Sequence, residues 1–260
     1  MTQIDKSRFE WIGSDSARRE GISRPSTTFW KDAIGRLMKN KVAVVCFFII
    51  VLLILSCIIV PFFSPFESRE QHLGEVNKGF MTVCTDSRYE GQHHVHYFGT
   101  DNLGRDLFLR AFEGGRVSLM IAFAAVFVNL IVGLIYGGIS GYIGGAVDTI
   151  MMRIVEIVIG IPYLIVVILL MMVLPKGIFT MVVAYGITGW TGMARLVRGQ
   201  VLQLKSQEYI VAAEAMGAKS SRIIAKHLIP NALSVIIINV TLAIPSAIFT
   251  EAFLSYIGLG

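Results

Sequence analysis

The chain has 260 residues, of which 54% are hydrophobic and only 16% are charged. Because soluble domains carry about 25% charged residues, this composition excludes an ordinary soluble enzyme, and it also excludes a disordered chain. The net charge of +5 rests on few charged residues and does not indicate nucleic-acid binding. In membrane proteins, Lys and Arg instead mark the cytoplasmic side. Three cysteines are too few for a disulfide framework.

The first 116 residues alternate between polar and apolar segments. Residues 1–41 are polar and contain no apolar run of the kind that a cleavable signal peptide needs, so we expect an N-terminal tail. Residues 42–63 contain no charged side chain. Since a span needs about 20 apolar residues, they predict the first transmembrane helix. Residues 64–116 form a mixed polar loop with eight acidic and six basic residues.

Residues 117–260 contain the remaining apolar segments. A charge-free stretch predicts a helix over about 117–140, followed by a turn near Gly144–Gly145, because glycine ends helices. Further spans are predicted at about 149–174, 178–194 and 231–250, with the basic segment 195–230 between the last two. We therefore predict an all-α membrane protein, a polytopic helical bundle with five transmembrane helices in this chain.

The distribution of Lys and Arg predicts which side of the membrane each segment occupies. With the N-terminus inside, residues 1–41, 148–153 and 195–230 together carry 16 Lys and Arg, against 7 on the opposite side. Because cytoplasmic segments are enriched in Lys and Arg, we predict a cytoplasmic N-terminus. The loop 64–116 and the tail 251–260 are then extracytoplasmic.

Four glycines recur at every fourth position of the second apolar stretch: Gly133, Gly137, Gly141 and Gly145. On a helix they form one stripe, and such a stripe lets two helix backbones approach closely. Generic helix packing explains the stripe. The alternative is that part of it lines a seam between helices that move.

Proline and charged residues are rare inside the predicted spans. Pro162 and Pro245 each remove a backbone hydrogen bond and favour a kink. Arg153 and Glu156 lie three residues apart on one helix face and predict a mutual ion pair. A proton-coupled carrier would show acidic or His residues near the middle of the bilayer, so their absence from the sequence argues against one.

Residues 206–230 predict two short helices around a turn. Ser206 is placed to cap the first helix, and Gly217 stands where a left-handed residue ends it. Ser220 is placed to cap the second helix, which is expected to end before Pro230. The predicted apolar faces are Tyr209, Ile210, Ala213 and Met216 on the first helix and Ile223, Ile224, His227 and Leu228 on the second. An amphipathic segment lying on the membrane surface is the alternative interpretation.

The polar loop contains a predicted short helix. Thr100 or Asp101 is placed to cap an amphipathic helix that ends at Gly114–Gly115. Asp106 and Arg110 lie four residues apart and predict an ion pair on its surface.

Three histidines, His93, His94 and His96, lie close together in the same loop. His94 and His96 would point the same way on an extended chain, as two ligands of one metal ion must. Glu90 is the nearest carboxylate and no cysteine is adjacent in the sequence. A solvated loop is therefore the preferred interpretation, and a metal site is the alternative.

The segment around Gly217 resembles the EAA loop of ABC-importer permeases, whose pattern is Glu-Ala-Ala, three residues, Gly, nine residues, then Ile, any residue, Leu and Pro. Ala212, Ala213, Gly217 and Pro230 match with the spacing intact. Val211 replaces the acidic residue, His227 replaces the Ile and Ile229 replaces the Leu. In that family this loop is a coupling helix that docks into the ATP-binding subunit. The resemblance implies a coupling loop that includes Glu208, Tyr209, Ala212, Ala213, Glu214, Gly217 and Pro230.

Three other segments resemble the oligopeptide, dipeptide and nickel branch of this family. They are residues 29–63, the outer motif 98–106 and residues 251–260. The first resembles the extra N-terminal helix of the second, C-type permease. The matching positions of the outer motif are Gly99, Thr100, Asp101, Gly104, Arg105 and Asp106. Members have six transmembrane helices, so the resemblance implies that the last helix is missing from this chain.

The resemblance implies a transport subunit without catalytic residues. The sequence has no G-x-x-x-x-G-K-[ST] loop to cradle ATP phosphates. Two partner ATPase subunits would therefore use ATP and Mg, and this chain would bind no cofactor or metal. The other implied partners are a homologous second permease, an extracytoplasmic substrate-binding protein and the lipid bilayer of a bacterial-type cell membrane.

The implied cargo is a short peptide, with a nickel or metal chelate as the alternative. Two other classes of function predict different sequences. An ATP-independent secondary transporter predicts inverted repeats and ionisable residues at the middle of the bilayer. An intramembrane enzyme predicts a nucleophile with its base, or paired carboxylates, at membrane depth. The sequence contains neither pattern.

Overall fold

A computed structural model describes residues 29–64, 66–85, 95–175 and 177–259 of the chain. The chain divides into two compact units, residues 1–53 and 54–260. The first 28 residues of the predicted N-terminal tail lie outside the described residues.

Helices make up most of the described chain. They are α1 (Phe29–Lys39), α2 (Lys41–Phe63), α3 (Leu107–Ile143), α4 (Gly145–Ile159), α5 (Tyr163–Val173), α6 (Ile178–Thr188), α7 (Trp190–Lys205), α8 (Glu208–Ala215), α9 (Ser220–Ile223) and α10 (Ile229–Tyr256). One turn of π-helix, Ile224–Leu228, joins α9 to α10. This architecture confirms the predicted helical bundle.

A small folded segment lies between α2 and α3. It contains one turn of 3-10 helix (Leu73–Glu75) and an antiparallel strand pair, β1 (Thr82–Val83) and β2 (Val95–His96). In this pair Thr82 lies opposite His96 and Val83 opposite Val95. The sequence did not predict these strands, which are too short to show an alternating pattern. We call residues 66–85 and 95–106 the outer segment.

The helix α2 is apolar on every side. Asn40 begins it, because its Oδ1 accepts a hydrogen bond from the Ala43 amide at 3.2 Å. None of its 23 residues is buried within the chain. A helix that is hydrophobic all round is typical of a membrane span. The predicted first transmembrane helix, 42–63, agrees with it to within one residue.

The helix α3 is longer than predicted. It has 37 residues and is therefore about 55 Å long at about 1.5 Å per residue. Asp106 caps it by accepting a hydrogen bond from the Leu109 amide at 2.7 Å. The predicted short helix with a cap at Thr100 or Asp101 and an end at Gly114–Gly115 is therefore wrong. A Cβ at Gly115 would lie 2.8 Å from Cys57 Sγ, so this glycine permits close packing and does not end the helix.

The predicted turn near Gly144 is confirmed. Gly144 has a φ of +72° and separates α3 from α4. The predicted span over 149–174 is divided into α4 and α5, whose axes are bent by 76°. Pro162 lies at the break and starts α5, since a proline cannot continue the hydrogen-bond ladder of α4. The predicted kink at Pro162 is thus a full break between two helices.

The predicted span over 178–194 also differs from the helices in the structure. The helix α6 ends at Thr188, and α7 begins at Trp190 and continues to Lys205. Helix α7 buries one face, at Met193, Ala194, Val197 and Val201, while Arg195 and Gln203 are exposed. The polar composition after residue 194 therefore marks the outer face of a helix and not the start of a loop.

Three helical segments are long and apolar enough to cross a membrane: α2, α3 and the continuous helical stretch over residues 220–256. The bent pair α4 and α5 adds a fourth if it counts as one span. The helices α6 and α7 have only 11 and 16 residues, fewer than the roughly 20 that a straight crossing needs. The described residues show a polytopic membrane protein, but they do not confirm the predicted count of five spans.

The core of the larger unit is built around α3. Its most extensive contact is with α7, and α10 also packs against it. The main buried cluster joins α7, α8 and the start of α10. Its members are Met193, Val197, Val201, Ile210, Ile223, Leu228, Ala232 and Ile236.

Candidate functional site

The helix α8 and the turn after it occupy the position of the predicted coupling loop. Gly217 ends this helix with a φ of +78°. Its amide donates to the Glu214 carbonyl at 2.9 Å, and the Ala218 amide donates to the Ala213 carbonyl at 3.1 Å. These two hydrogen bonds form the paired closure of a Schellman motif. A side chain at Gly217 would meet no neighbour, so the backbone conformation alone favours glycine there.

Two kinds of contact hold α8 against the bundle. Ile210 and Ala213 are buried, and Ile210 packs in the main cluster beside Val201. Glu214 accepts a hydrogen bond from the hydroxyl of Tyr142 at 3.0 Å. Tyr142 in turn offers its backbone carbonyl to Lys205 Nζ at 2.5 Å. Since Tyr142 is the penultimate residue of α3, the last turn of α3 is tied to both α7 and α8.

The outward face of α8 is largely apolar. Tyr209, Val211 and Met216 are 42%, 55% and 82% exposed, and Glu208 and Ala212 beside them are also exposed. Of the four residues of the predicted apolar face, Ile210 and Ala213 are buried, whereas Tyr209 and Met216 are exposed. We call this exposed face the α8 surface. It has a small residue at its centre and apolar side chains around it. This composition is typical of a surface that contacts another protein.

The predicted caps of the two short helices are wrong. Ser206 closes the end of α7, where its Oγ donates to the Gln203 carbonyl at 3.1 Å, and Gln207 precedes α8 without a capping bond. Ser220 is the first residue of α9, and Lys219 precedes it. Both serines therefore lie one residue away from the position where a cap acts.

The prediction that the second helix ends before Pro230 is also wrong. The helical chain continues from α9 through the π-turn into α10, and Pro230 stands at the start of α10. Proline lacks an N–H and clashes with the carbonyl four residues earlier. A π-turn immediately before it widens the helix and accommodates both defects. Ile223 and Leu228 are fully buried, as the predicted apolar face requires.

Three of the four stripe glycines lie against α7. A Cβ at Gly133 would lie 2.5 Å from Met193 Cβ, and one at Gly137 would lie 2.3 Å from the Ala194 carbonyl oxygen. At Gly141 the nearest atom would be the Arg198 carbonyl oxygen at 2.9 Å. The prediction is wrong for Gly145, which is exposed at the start of α4 and meets nothing within 4 Å. We call the contact at the first three glycines the glycine seam.

An ion pair fixes the start of α4 to α7. Arg198 donates from Nε and Nη2 to the two carboxylate oxygens of Asp148, each at 2.5 Å. The Ser140 hydroxyl donates to the same carboxylate at 2.5 Å. This pair was not predicted, because the two residues lie 50 positions apart in the sequence. The predicted pair between Arg153 and Glu156 is confirmed at 2.7 Å, with both side chains exposed.

Asp101 is the centre of a polar network in the outer segment. Its Oδ1 accepts from the Leu103 and Arg105 amides at 2.9 Å each. Its Oδ2 accepts from Arg105 Nε at 2.8 Å and from Arg110 Nη1 at 2.7 Å. Burial acts to raise the pKa of Asp101, but the hydrogen bonds from Arg105 and Leu103 outweigh it and lower the pKa to about 2. The predicted pair of Arg110 with Asp106 is therefore wrong.

Asp106 binds a buried histidine. His96 is fully buried, with Nδ1 2.7 Å from Asp106 Oδ2 and Nε2 3.0 Å from Glu75 Oε2. Burial acts to lower the pKa of His96, but the hydrogen bonds to Asp106 and Glu75 raise it overall. The expectation of a solvated loop is thus wrong for His96. His93 and His94 lie outside the described residues.

The remaining positions of the outer motif hold the segment together. Thr100 Oγ1 accepts from the Lys78 amide at 2.9 Å and donates to the Glu75 carbonyl. Gly104 has a φ of +75°, and a Cβ there would lie 2.1 Å from the His72 carbonyl oxygen. A side chain at this position would therefore separate two stretches of backbone. Gly99 is confined in the same way by the Lys78 carbonyl oxygen.

Comparison with known proteins gives the family. Residues 129–260 match the family described as "Binding-protein-dependent transport system inner membrane component", and residues 28–79 match "N-terminal TM domain of oligopeptide transport permease C". The chain belongs to this permease family. The two matches agree with the resemblance of the coupling loop and of residues 29–63, and they establish a C-type permease of the oligopeptide and dipeptide branch.

Individual relatives give the same result. The permease is 48% identical to the oligopeptide transport system permease protein OppC of Bacillus subtilis (strain 168), over 100% of this chain and 81% of that protein. It is 47% identical to the dipeptide transport system permease protein DppC of the same organism, over 93% of this chain and 72% of that protein. It is also 41% identical to OppC of Escherichia coli (strain K12), over 99% of this chain and 81% of that protein.

The permease has a polar cavity where the start of α3 approaches the end of α10. Its volume is about 730 Å³, and its lining includes Arg105, Arg110, Glu113, Glu251 and Ser255. Glu251 is buried and accepts hydrogen bonds from Ser118 at 2.5 Å and Ser255 at 2.8 Å. Charges of both signs therefore face one cavity. From the sequence, Glu251 was noted only as the first residue of the C-terminal segment that resembles the family.

Proposed function

We propose that this chain is the translocation subunit of an ATP-driven importer for short peptides. In this proposal it pairs with a homologous permease, two ATPase subunits and an extracytoplasmic binding protein, and its N-terminus is cytoplasmic. The relatives are permeases of oligopeptide and dipeptide transport systems, which supports a peptide cargo. The 16 Lys and Arg on the side of the N-terminus, against 7 on the other, support the orientation.

The observation that carries the proposal is the α8 surface. Val211 and Met216 are exposed although α8 is firmly held on its other side by Ile210 and Ala213. Exposed apolar residues on a rigid helix are a cost to an isolated protein and a typical feature of a protein–protein contact. Because the chain has no phosphate-binding loop, an ATPase that docks on α8 would have to supply the energy.

The contacts of α8 suggest how movement would reach the membrane. A displacement of α8 would act on Tyr142 through the hydrogen bond from its hydroxyl to Glu214. Tyr142 is also fixed by Lys205, so the last turns of α3 and α7 would move together. The glycine seam would then transmit the movement along both helices, since its backbones are in direct contact and cannot absorb the shift. This chain would need no cofactor or catalytic residue of its own for that role.

Substitutions on the α8 surface test the proposal. We expect that Val211→Asp and Met216→Asp each reduce co-purification of the ATPase subunits and reduce ATP-dependent peptide uptake by about tenfold or more, because a charge in the buried centre of an interface is left without a partner. The measurement uses the permease co-expressed with its second permease, ATPases and binding protein, and reconstituted in proteoliposomes with a radiolabelled peptide.

Phe80→Asp provides the matched control. Phe80 is 72% exposed, but it lies in the outer segment before α3, whereas α8 lies at the opposite end of that helix. This variant should retain the ATPase subunits. Wild-type ATPase binding by Val211→Asp and Met216→Asp would refute docking on α8. Absence of ATP-dependent uptake by the unaltered complex would refute the importer itself.

A further inference from the structure

Three buried side chains of different chemistry converge in the outer segment. They are His72, Glu75 and Cys84, which are 1%, 2% and 8% exposed. One possible ligand atom from each lies within 4.8 Å of the other two. The three residues are brought together by the 3-10 turn, which ends at Glu75, and by β1, which ends immediately before Cys84. None of them belongs to the predicted histidine cluster or to the α8 surface.

The set of donor atoms fits a divalent transition metal. An imidazole nitrogen, a carboxylate oxygen and a thiolate sulfur are the three ligand types that zinc uses in proteins. At bond lengths of about 2.0–2.3 Å, tetrahedral ligand atoms lie about 3.3–3.8 Å apart. Closing the observed spacing to this range requires movements of about 1 Å. A thiolate and a carboxylate together would neutralise the two positive charges of the ion.

A second layer of contacts orients the ligands. Glu75 Oε1 accepts from the Thr85 hydroxyl at 2.8 Å and from the Thr85 amide, while Oε2 faces His96 Nε2. Burial acts to raise the pKa of Glu75, but these hydrogen bonds lower it, so the carboxylate is held in its charged form. Ligands of metal ions in proteins are typically fixed by such outer hydrogen bonds.

An apolar shell covers the other side of the cluster. The ring of Phe66 stacks on the His96 ring, with 4.5 Å between the ring centroids. It meets the His72 ring edge-on, with 5.7 Å between the centroids. Phe66 also packs with Cys84 and Leu109 in one buried group. Leu109 belongs to the first turn of α3, so the cluster connects the outer segment to the start of that helix. A metal ion here would be shielded from solvent and would cross-link three points of the chain.

We propose that His72, Glu75 and Cys84 bind a zinc ion that links the 3-10 turn of the outer segment to the end of β1. Three protein ligands leave the fourth tetrahedral position to a water molecule. The site is independent of the transport function, because it needs neither the ATPase subunits nor the cargo. It departs from the expectation that this chain binds no metal.

Cobalt provides the most direct test, since a cobalt ion bound to a thiolate gives a charge-transfer absorption band in the near ultraviolet. The full chain is purified in detergent through a tag without histidines, stripped with EDTA and titrated with cobalt(II) chloride. We expect the band to saturate at one equivalent of cobalt, and added zinc to abolish it. Absence of the band from the stripped wild-type chain would overturn the proposal.

The cysteines of the chain allow matched variants. Cys84→Ser should lose the band, whereas a Cys46→Ser, Cys57→Ser double variant should keep it, because both of those cysteines lie in α2. Thr85→Ala removes one outer hydrogen bond and should weaken zinc binding about 10- to 100-fold without removing a ligand. A band that persists in Cys84→Ser would place the metal elsewhere and overturn the assignment.

Melting temperature gives a second readout that does not depend on any variant. An ion that binds only the folded state stabilises it in proportion to the logarithm of the free ion concentration over Kd. The stripped chain should therefore melt at a higher temperature when zinc is added, and magnesium should have no effect. Equal melting temperatures with and without zinc would show a hydrogen-bonded cluster without a metal function and overturn the proposal.

Discussion

Replacing Gly137 by alanine should separate α3 from α7. The added Cβ would lie 2.3 Å from the Ala194 carbonyl oxygen and 2.9 Å from Val197 Cβ. An ordinary contact needs at least 3.4 Å, so the helices must move apart by about 1 Å at this point. Neither neighbour can rotate away, because one is backbone and the other is a Cβ. Overpacking of this kind typically costs about 1–3 kcal/mol.

The thermal unfolding of the purified chain in detergent measures this cost. For a protein of this size, each kcal/mol corresponds to about 2–4 °C, so we expect a fall of about 2–12 °C. Gly114→Ala is the matched control, because Gly114 lies in the same helix and a Cβ there would meet nothing within 4 Å. If Gly137→Ala melts within about 1 °C of wild type, as Gly114→Ala should, the glycine seam is not a close backbone contact.

Two further predictions concern charged residues. Asp148→Asn should destabilise the chain by about 1–3 kcal/mol, because Arg198 keeps its charge but the neutral amide offers one acceptor oxygen in place of two carboxylate oxygens. Combining it with Arg198→Met in a thermal-unfolding cycle should cost less than the two single losses together, and strict additivity would contradict the pairing. Asp101 has a pKa lowered to about 2, against about 3.9 in an unfolded chain, so its stabilising effect is complete above about pH 4 and disappears as the pH falls through 2. Hydrogen exchange at the Leu103 and Arg105 amides should show about tenfold less protection in Asp101→Ala, which removes the acceptor oxygen, than in wild type at neutral pH, and equal protection there would contradict the assigned hydrogen bonds.

Within the predicted coupling loop, the local structure was partly predictable from the sequence. Gly217 ends α8 as predicted, because a left-handed helix end has a strong local preference for glycine. The predicted apolar face of α8 is divided between the core, at Ile210 and Ala213, and the surface, at Tyr209 and Met216, because periodicity alone does not show which apolar residues are buried. The helix that continues through Pro230 was missed because a π-turn has no clear sequence signal.

The outer segment was much harder to predict. Its contacts join residues that are distant in sequence, such as Glu75 and His96, which lie 21 positions apart. Asp106 was assigned to Arg110 by the rule for neighbouring helical turns, but that rule does not apply to the residue that caps the helix. The extent of α3 was underestimated because Gly114–Gly115 resembles a helix end, whereas Gly115 lies close to Cys57. In each case the tertiary contact outweighed the local preference.

The length of α3 means that one rigid helix connects the outer segment to α8. Its first residue follows Asp106, which is bound to His96, and its last turn is tied to α8 through Tyr142. At a length of about 55 Å, a tilt of about 10° around one end carries the other end by about 10 Å. If α3 tilts as a rigid helix, its end at the outer segment and its end at α8 therefore move together. One pair of spin labels at each end of α3 would therefore report the same conformational transition, with the same midpoint.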